Sequence, residues 1–209
     1  MIKSYKELTI DKYIELQSID WLNMDEIDIQ SNIIAILNDV DVETILDLSI
    51  TEYKKLASNL SFLLEQPKVK GKKINKLKIN NKEYYVIDKV EDMSAGQYID
   101  YQSYITKNDV KMLPYVLSCL IIPKGEKYGD SYTIDDLKNL SVEEGLTIAN
   151  FFLKKSRTLI RGILFYLERT MKKKMKKTKN ETMKKSLTEA IQRIVLLKSF
   201  LKNGDGFLQ

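Results

Sequence analysis

The chain has 209 residues, 44% of them apolar, and a net charge of only +5, a composition that fills one good core or two small ones and argues against wholesale disorder. It contains no histidine, which excludes Ser-His and Cys-His nucleophiles, a histidine general base and ordinary histidine-containing zinc sites. No apolar run approaches the ~20 residues that span a bilayer, and the N-terminus lacks an apolar signal stretch, so the expectation is a protein without a membrane partner that stays where it is made.

Two short helices are predicted to open the chain. Tyr13, Leu16 and Ile19, then Ile29, Ile33, Ile36 and Leu37, fall at helical spacing, with Asp25 or Asp28 placed to cap the second run. A third helix is expected after a cap at Ser49 or Thr51, with Tyr53, Leu56, Leu60, Leu63 and Leu64 on one stripe and Pro67 ending it. From Lys68 the texture changes. Leu77 and Ile79 alternate with lysines, Asn80-Asn81 supplies a turn tolerant of positive φ, and Tyr84 to Ile87 is β-branched and aromatic, so a β-hairpin is predicted.

Ser94 caps the next predicted helix, which carries Tyr98, Tyr101 and Ile105. Another is expected to start at Asn108 or Asp109 and run through Leu117 to Ile122, with Pro114 near its first turn or at a kink. Pro123-Lys124-Gly125 stops it, and a polar loop follows to Tyr132. The single cysteine, Cys119, lies inside the apolar run from Val116 to Ile122 and reads as a small core residue in a reducing compartment. Tyr98, Tyr101, Tyr104 and Tyr115 suit either a partner groove or a core with hydroxyls reaching solvent, the second being the commoner arrangement.

Ser141-x-x-Glu144 is a capping-box pattern that opens the longest element. Leu146, Ala149, Leu153, Ile160, Ile163, Leu164, Leu167, Met171 and Met175 keep a three-and-four spacing, so one helix is predicted from Val142 to about Lys177, roughly 54 Å long. After a break at Thr178-Lys179-Asn180, Met183, Leu187, Ile191, Ile194 and Leu201 continue the pattern to an Asn203-Gly204 stop. The expected fold is mainly α: a helical bundle with one small β-hairpin and a long C-terminal antiparallel helical hairpin. Three portions are anticipated within one cooperative domain: an acidic helical portion over 1–67, a basic β-hairpin over 68–92, and a helical portion over 93–209.

Charge is distributed unevenly. Between Asp20 and Glu52 there are nine acids and no lysine or arginine, whereas Arg169 to Lys185 carries nine basic residues against the single acid Glu181. Lys68, Lys70, Lys72, Lys73, Lys76 and Lys78 form a second basic run without an acid. The hairpin would project Arg169, Lys172, Lys173, Lys174, Lys176, Lys177, Lys179, Lys184 and Lys185 as one positive tip. Such a tip is a solvated end, a grip for nucleic-acid phosphates, or a partner for the acidic face of another copy, formed by Asp25, Glu26, Asp28, Asp39, Asp41 and Glu43, in a contact that closes a ring or extends a filament. The tip has no interleaved aromatic residue for base stacking and no base-reading signature.

Catalytic readings are weak. Asp25-Glu26-x-Asp28, Asp135-Asp136 and Glu143-Glu144 are better explained as acids favoured by the positive end of a helix. Glu83 with Asp88 and Lys89 only faintly echoes a nuclease, and Gly125 and Gly129 lack the Lys-Ser/Thr that follows in a phosphate-binding loop. The expectation is a non-enzymatic protein that needs no cofactor and no metal.

Three stretches carry a resemblance: Met93-Ser-Ala-Gly-Gln-Tyr-Ile-Asp-Tyr-Gln102, Leu117-Ser-Cys-Leu-Ile-Ile-Pro-Lys-Gly-Glu-Lys-Tyr-Gly-Asp130, and Leu140-Ser-Val-Glu-Glu-Gly-Leu through Phe151-Phe152 to Tyr166-Leu-Glu168. Over roughly residues 25 to 175 the pattern resembles small proteins of the virion and tail gene modules of phages of Bacteroides-type bacteria, the crAss-like phages among them. The resemblance implies a virion-assembly role as a tail-assembly-chaperone-like protein, a neck or tail component, or packaged cargo. It further implies other phage structural proteins as partners, and a location in the host cytoplasm during assembly or in the virion itself. It transfers no active-site residue.

Overall fold

The computed structural model describes residues 2–69, 73–131 and 133–203. Lys70, Lys72, Tyr132 and Gly204, which the sequence reading used, lie outside the described residues, as does the side chain of Leu201. The protein is mainly α, 65% helical, with a small antiparallel sheet and a long C-terminal helical region. It divides into two compact units, Met1–Phe151 and Phe152–Gln209. The boundary falls inside its longest helix, α8 (Val142–Lys177).

The first unit begins with a strap that is stitched to the start of α8. The Ile10 N–H donates to Leu140 O at 2.9 Å and the Val142 N–H donates to Leu8 O at 2.8 Å. Leu8 and Ile10 are fully buried there. Helix α1 (Ile10–Gln17) is capped by Thr9, and α2 (Glu26–Asn38) by Asp25, whose side chain accepts from the Asp28 N–H. Helix α2 ends at Asp39, in the left-handed region at φ 55°, a conformation that Asp and Asn tolerate better than other side chains.

A five-residue helix α3 (Val42–Leu46), which the spacing alone does not announce, precedes α4 (Ile50–Ala57) with its Ser49–Glu52 capping box. Ile34, Ala35 and Ile45 are buried, and Tyr53, Leu56 and Leu60 pack on them as a small core. The predicted third helix does not continue to Leu64 as an α-helix. It tightens into a 3₁₀ stretch over Ser58–Leu64, where the Ser58 hydroxyl and the Asn59 amide both donate to Lys55 O. Side-chain bonds of this kind compete with the helical ladder.

The hairpin forms as predicted from β1 (Lys76–Ile79) and β2 (Lys82–Val86), with Asn80 and Asn81 at φ 49° and 65°. Two consecutive positive φ values match the right-handed twist of the paired strands. Ile79 and Tyr84 point inward, and the lysines of β1 point out. The sheet has a third strand, β3 (Ile121–Pro123), antiparallel to β2 in the register Tyr85 to Ile122.

This strand corrects the predicted helix over 108–122. A 3₁₀ turn at Val110–Met112 leads into α6 (Leu113–Ser118), with Pro114 in its first turn, and the chain then leaves the helix. The Ile87 N–H donates to Leu120 O at 2.8 Å and the Lys124 N–H to Glu83 O at 2.9 Å. A short apolar run fits helix and buried strand equally well by periodicity, and here the free edge of β2 decides between them.

Helix α5 (Ala95–Ile105) has the Ser94–Gln97 capping box, and Gln97, itself buried, donates its amide to Cys119 O at 2.7 Å across the turn between α6 and β3. Helix α7 (Ile134–Lys138) follows the polar loop. Tyr101, Leu113, Val116, Leu117, Leu120, Ile121 and Leu137 are fully buried. Gly145 of α8 lies so close to this core that a Cβ would stand 2.6 Å from Ile10 Cδ1 and 3.2 Å from Leu117 Cδ1.

In the second unit α8 runs on to Lys177 and α9 (Glu181–Asn203) returns beside it. Glu168 meets Lys198, and Met175 Sδ lies 3.6 Å from Thr188 Oγ1, so the pair is antiparallel, as the spacing predicts. Among the described side chains, only Phe152, Ser156, Leu164 and Ile194 are buried in this unit.

Candidate functional site

The turn between α8 and α9 is built by its own polar side chains. The Thr178 N–H continues the helical ladder to Lys174 O, Asn180 N–H donates to Thr178 Oγ1 at 3.3 Å, and Asn180 Oδ1 caps α9 by accepting from the Met183 N–H at 3.0 Å. The nine basic residues predicted for the tip are thereby brought to one end of a two-helix unit. Lys174, Lys176 and Lys177 occupy the last turn of α8, where the negative end of the helix dipole favours cations. That account does not extend to Lys184 and Lys185, which sit in the first turns of α9, where the dipole has the opposite sign.

Lys172 pairs with Glu168, and Lys184 with Glu181 at 2.6 Å. Arg169, Lys173, Lys174, Lys176, Lys177, Lys179 and Lys185 are exposed and form no ion pair with a described residue. Glu168 is held well below the usual carboxylate range, at about 2, first by hydrogen bonds from Lys172 and Lys198. Phe165, Glu168, Arg169, Lys172, Lys173 and Lys176 line a shallow groove on this side of the hairpin. Lys198 also stands 5.0 Å from the centre of the Phe165 ring. Methionines punctuate the lysines: Met171 and Met175 are half-buried and Met183 is 55% exposed.

The predicted acidic residues are not gathered into one patch. Asp25, Glu26 and Asp28 surround the N-terminus of α2, while Asp39, Asp41 and Glu43 follow its C-terminus. The two groups lie at opposite ends of the 13-residue α2, a helix about 20 Å long. Asp39 is bound by Lys12 at 2.6 Å but keeps 78% of its side chain exposed, and Asp41 makes no capping hydrogen bond. Asp39 and Asp41 border an open groove with Glu15, Ile19, Ile36 and Val40. The sequence reading missed the contribution of Glu15 because it comes from α1, and only packing brings it beside Asp41.

The division of the chain sharpens the charge asymmetry. Residues 1–151 hold 18 basic and 25 acidic side chains, whereas residues 152–209 hold 16 basic and four acidic ones, which gives net charges of −7 and +12.

Other chemistry-bearing groups have local explanations. Asp135 and Asp136, and Glu143 and Glu144, occupy the first turns of α7 and α8. Asp136 accepts from Tyr84 Oη at 2.6 Å; burial and then this bond push the tyrosine far up, and the same bond, with one from the Asn80 amide, holds the carboxyl down against the opposing effect of burial. Glu83 is bound by Lys124 at 2.6 Å and Asp88 by Lys73 at 2.8 Å. Cys119 is fully buried, and burial pushes its thiol up to about 11, so it is not a thiolate at neutral pH. Of the four tyrosines, Tyr101 is core and Tyr98, Tyr104 and Tyr115 are half-buried, with the last two rings 5.4 Å apart. Among the described residues no group of three acids or cysteines is placed to hold a metal, and no helix is long and apolar enough to cross a membrane. Compared with protein-family models, curated proteins and solved structures, the chain finds no match.

Proposed function

We propose that this chain is a non-enzymatic phage virion structural or assembly protein that works through protein–protein contacts, in the manner of a tail-assembly chaperone or a tail or neck component. The observation that carries this reading is the separation of charge between the two units, −7 against +12, with seven tip cations left exposed and unpaired by any described residue. A concentrated exposed charge steers association and selects an oppositely charged partner more than it stabilises a fold. The resemblance carried by Met93–Gln102, Leu117–Asp130 and Leu140–Glu168 supplies the biological setting.

The test is reversal of the tip: Lys176→Glu, Lys177→Glu, Lys184→Glu and Lys185→Glu together abolish assembly while far-UV circular dichroism stays unchanged. Unchanged assembly would sink the reading. The same seven exposed cations support a second reading, a nucleic-acid-binding accessory protein. It requires retention on duplex or single-stranded DNA with a logarithmic salt slope of about −0.7 to −0.9 per phosphate contacted, lost in the same variant.

A further inference from the structure

The groove between α1 and α2 has an apolar floor, Ile19, Ile36 and Val40, and an acidic rim, Glu15, Asp39 and Asp41, enclosing a volume of about 490 Å³. Val40 is 40% exposed in it. Between Tyr13 and Tyr53 the sequence holds ten acids and no lysine or arginine. Among the described residues, Lys12 is the cation paired with this rim, and it is engaged by Asp39 and by Leu37 O. An apolar floor inside an acidic rim whose Glu15 and Asp41 carboxylates form no ion pair with a described residue calls for a partner with the reverse pattern: a small apolar contact surrounded by cations.

The tip of the C-terminal hairpin has that pattern. Met183 is 55% exposed, and Lys176, Lys177, Lys179, Lys184 and Lys185 surround it in sequence on the last turn of α8, the connecting turn and the first turns of α9. Methionine is unbranched and polarisable and adapts to an irregular apolar floor, while lysine stems cover apolar surface and keep their ammonium groups free to reach rim carboxylates. We infer that the α1–α2 groove of one copy receives the lysine–methionine tip of a second copy. The inference rests on the reading of the chain as an assembly protein and gives that reading its contact. Groove and tip are different surfaces, so the contact is heterologous, and a bound pair keeps one unfilled groove and one free tip.

The test uses full-length chains and light scattering. The wild type forms multimers whose mass falls as salt rises. A groove variant, Glu15→Lys with Asp41→Lys, and the tip variant described above each weaken self-association at least ~10-fold and run as monomers near 24.3 kDa. The decisive sample is their equimolar mixture. The groove variant keeps its tip and the tip variant keeps its groove, so the mixture forms pairs of twice the chain mass that grow no further. Folding is followed by Trp21 fluorescence and circular dichroism, and Glu15→Gln with Asp41→Asn provides a milder groove variant should the lysines prevent folding. A groove variant that multimerises like the wild type while the tip variant is monomeric overturns the groove assignment and leaves the assembly reading standing. A wild type that stays monomeric at every salt and protein concentration, and whose tip variant loses only DNA retention, overturns both.

Discussion

The two ends of helix α8 have the same backbone and different surroundings. Eight of its first eleven residues, 142–152, are buried, whereas only Ser156 and Leu164 are buried over 153–177. The first segment is enclosed nearly all round, as a helix inside a core must be. The second shares one stripe with α9 and leaves Ile163, Phe165 and Tyr166 at 49%, 62% and 68% exposure. Most helical stability in proteins comes from packing rather than from propensity. One continuous helix therefore links a well-anchored unit to one with a thin core, and the thinly anchored unit is the one that carries the excess cations.

The largest expected difference lies in core truncation. Leu117→Ala, at a fully buried position, costs about 2–5 kcal/mol, whereas Ile163→Ala, at 49% exposure, costs less than ~1 kcal/mol. Urea unfolding monitors both. Trp21, the single tryptophan, reports the first unit, and far-UV dichroism reports all the helices. Dichroism is expected to fall before Trp21 fluorescence changes, and coincident transitions would show that the two units unfold as one.

Two glycines within α8 give the same comparison with one chemical change. Gly145→Ala places a methyl 2.6 Å from Ile10 Cδ1 and costs about 1–3 kcal/mol after the Ile10 side chain shifts. Gly162→Ala meets nothing within 4 Å and stabilises by up to ~1 kcal/mol through helix propensity and a less flexible unfolded chain. Opposite signs in denaturation midpoints are expected, and equal signs would contradict the difference in packing. Caps come next. Ser94→Ala removes half of a capping box and Asn180→Ala removes the cap of α9, each costing about 1 kcal/mol. The first shifts the Trp21 transition, and the second shifts dichroism alone.

Acid affects the second unit through Glu168. Its folded-state pKa, about 2, lies below the ordinary value of 4.5. The pairing with Lys172 and Lys198 therefore contributes fully above the unfolded value and is lost as pH falls from about 4.5 toward 2. Glu168→Gln should flatten the acid limb of a dichroism titration in that window. The smallest effect on stability is expected from reversing the tip lysines, whose place at the surface keeps the change within about 0.5 kcal/mol, although the proposed assembly contact would be lost.

Local chemistry was largely legible. The caps at Asp25, Ser49 and Ser94, the turn at Asn80-Asn81 and the break at Thr178-Lys179-Asn180 depend on interactions spanning a few residues, so the sequence states them directly. Part of the candidate site was legible as well, since nine cations within 17 residues of one hairpin turn cannot be dispersed. The acidic groove was not. Asp25 and Asp41 are close in sequence, but α2 between them holds them apart, while Glu15 joins Asp39 and Asp41 only because α1 packs on α2.

The sequence by itself determined where α2, α4, α5 and α8 begin, which hairpins form and how charge is apportioned, because capping, turn geometry and helical periodicity act within one or two turns of chain. The tertiary structure alone decided that Ile121–Pro123 becomes a strand, because the edge of β2 lies more than 30 residues away in sequence. It also decided that α8 passes from a full core to a thin one at Phe151–Phe152. The helical periodicity is unbroken there, and only the strap at Leu8–Ile10 and the helices around Leu117 make one side of that boundary an interior.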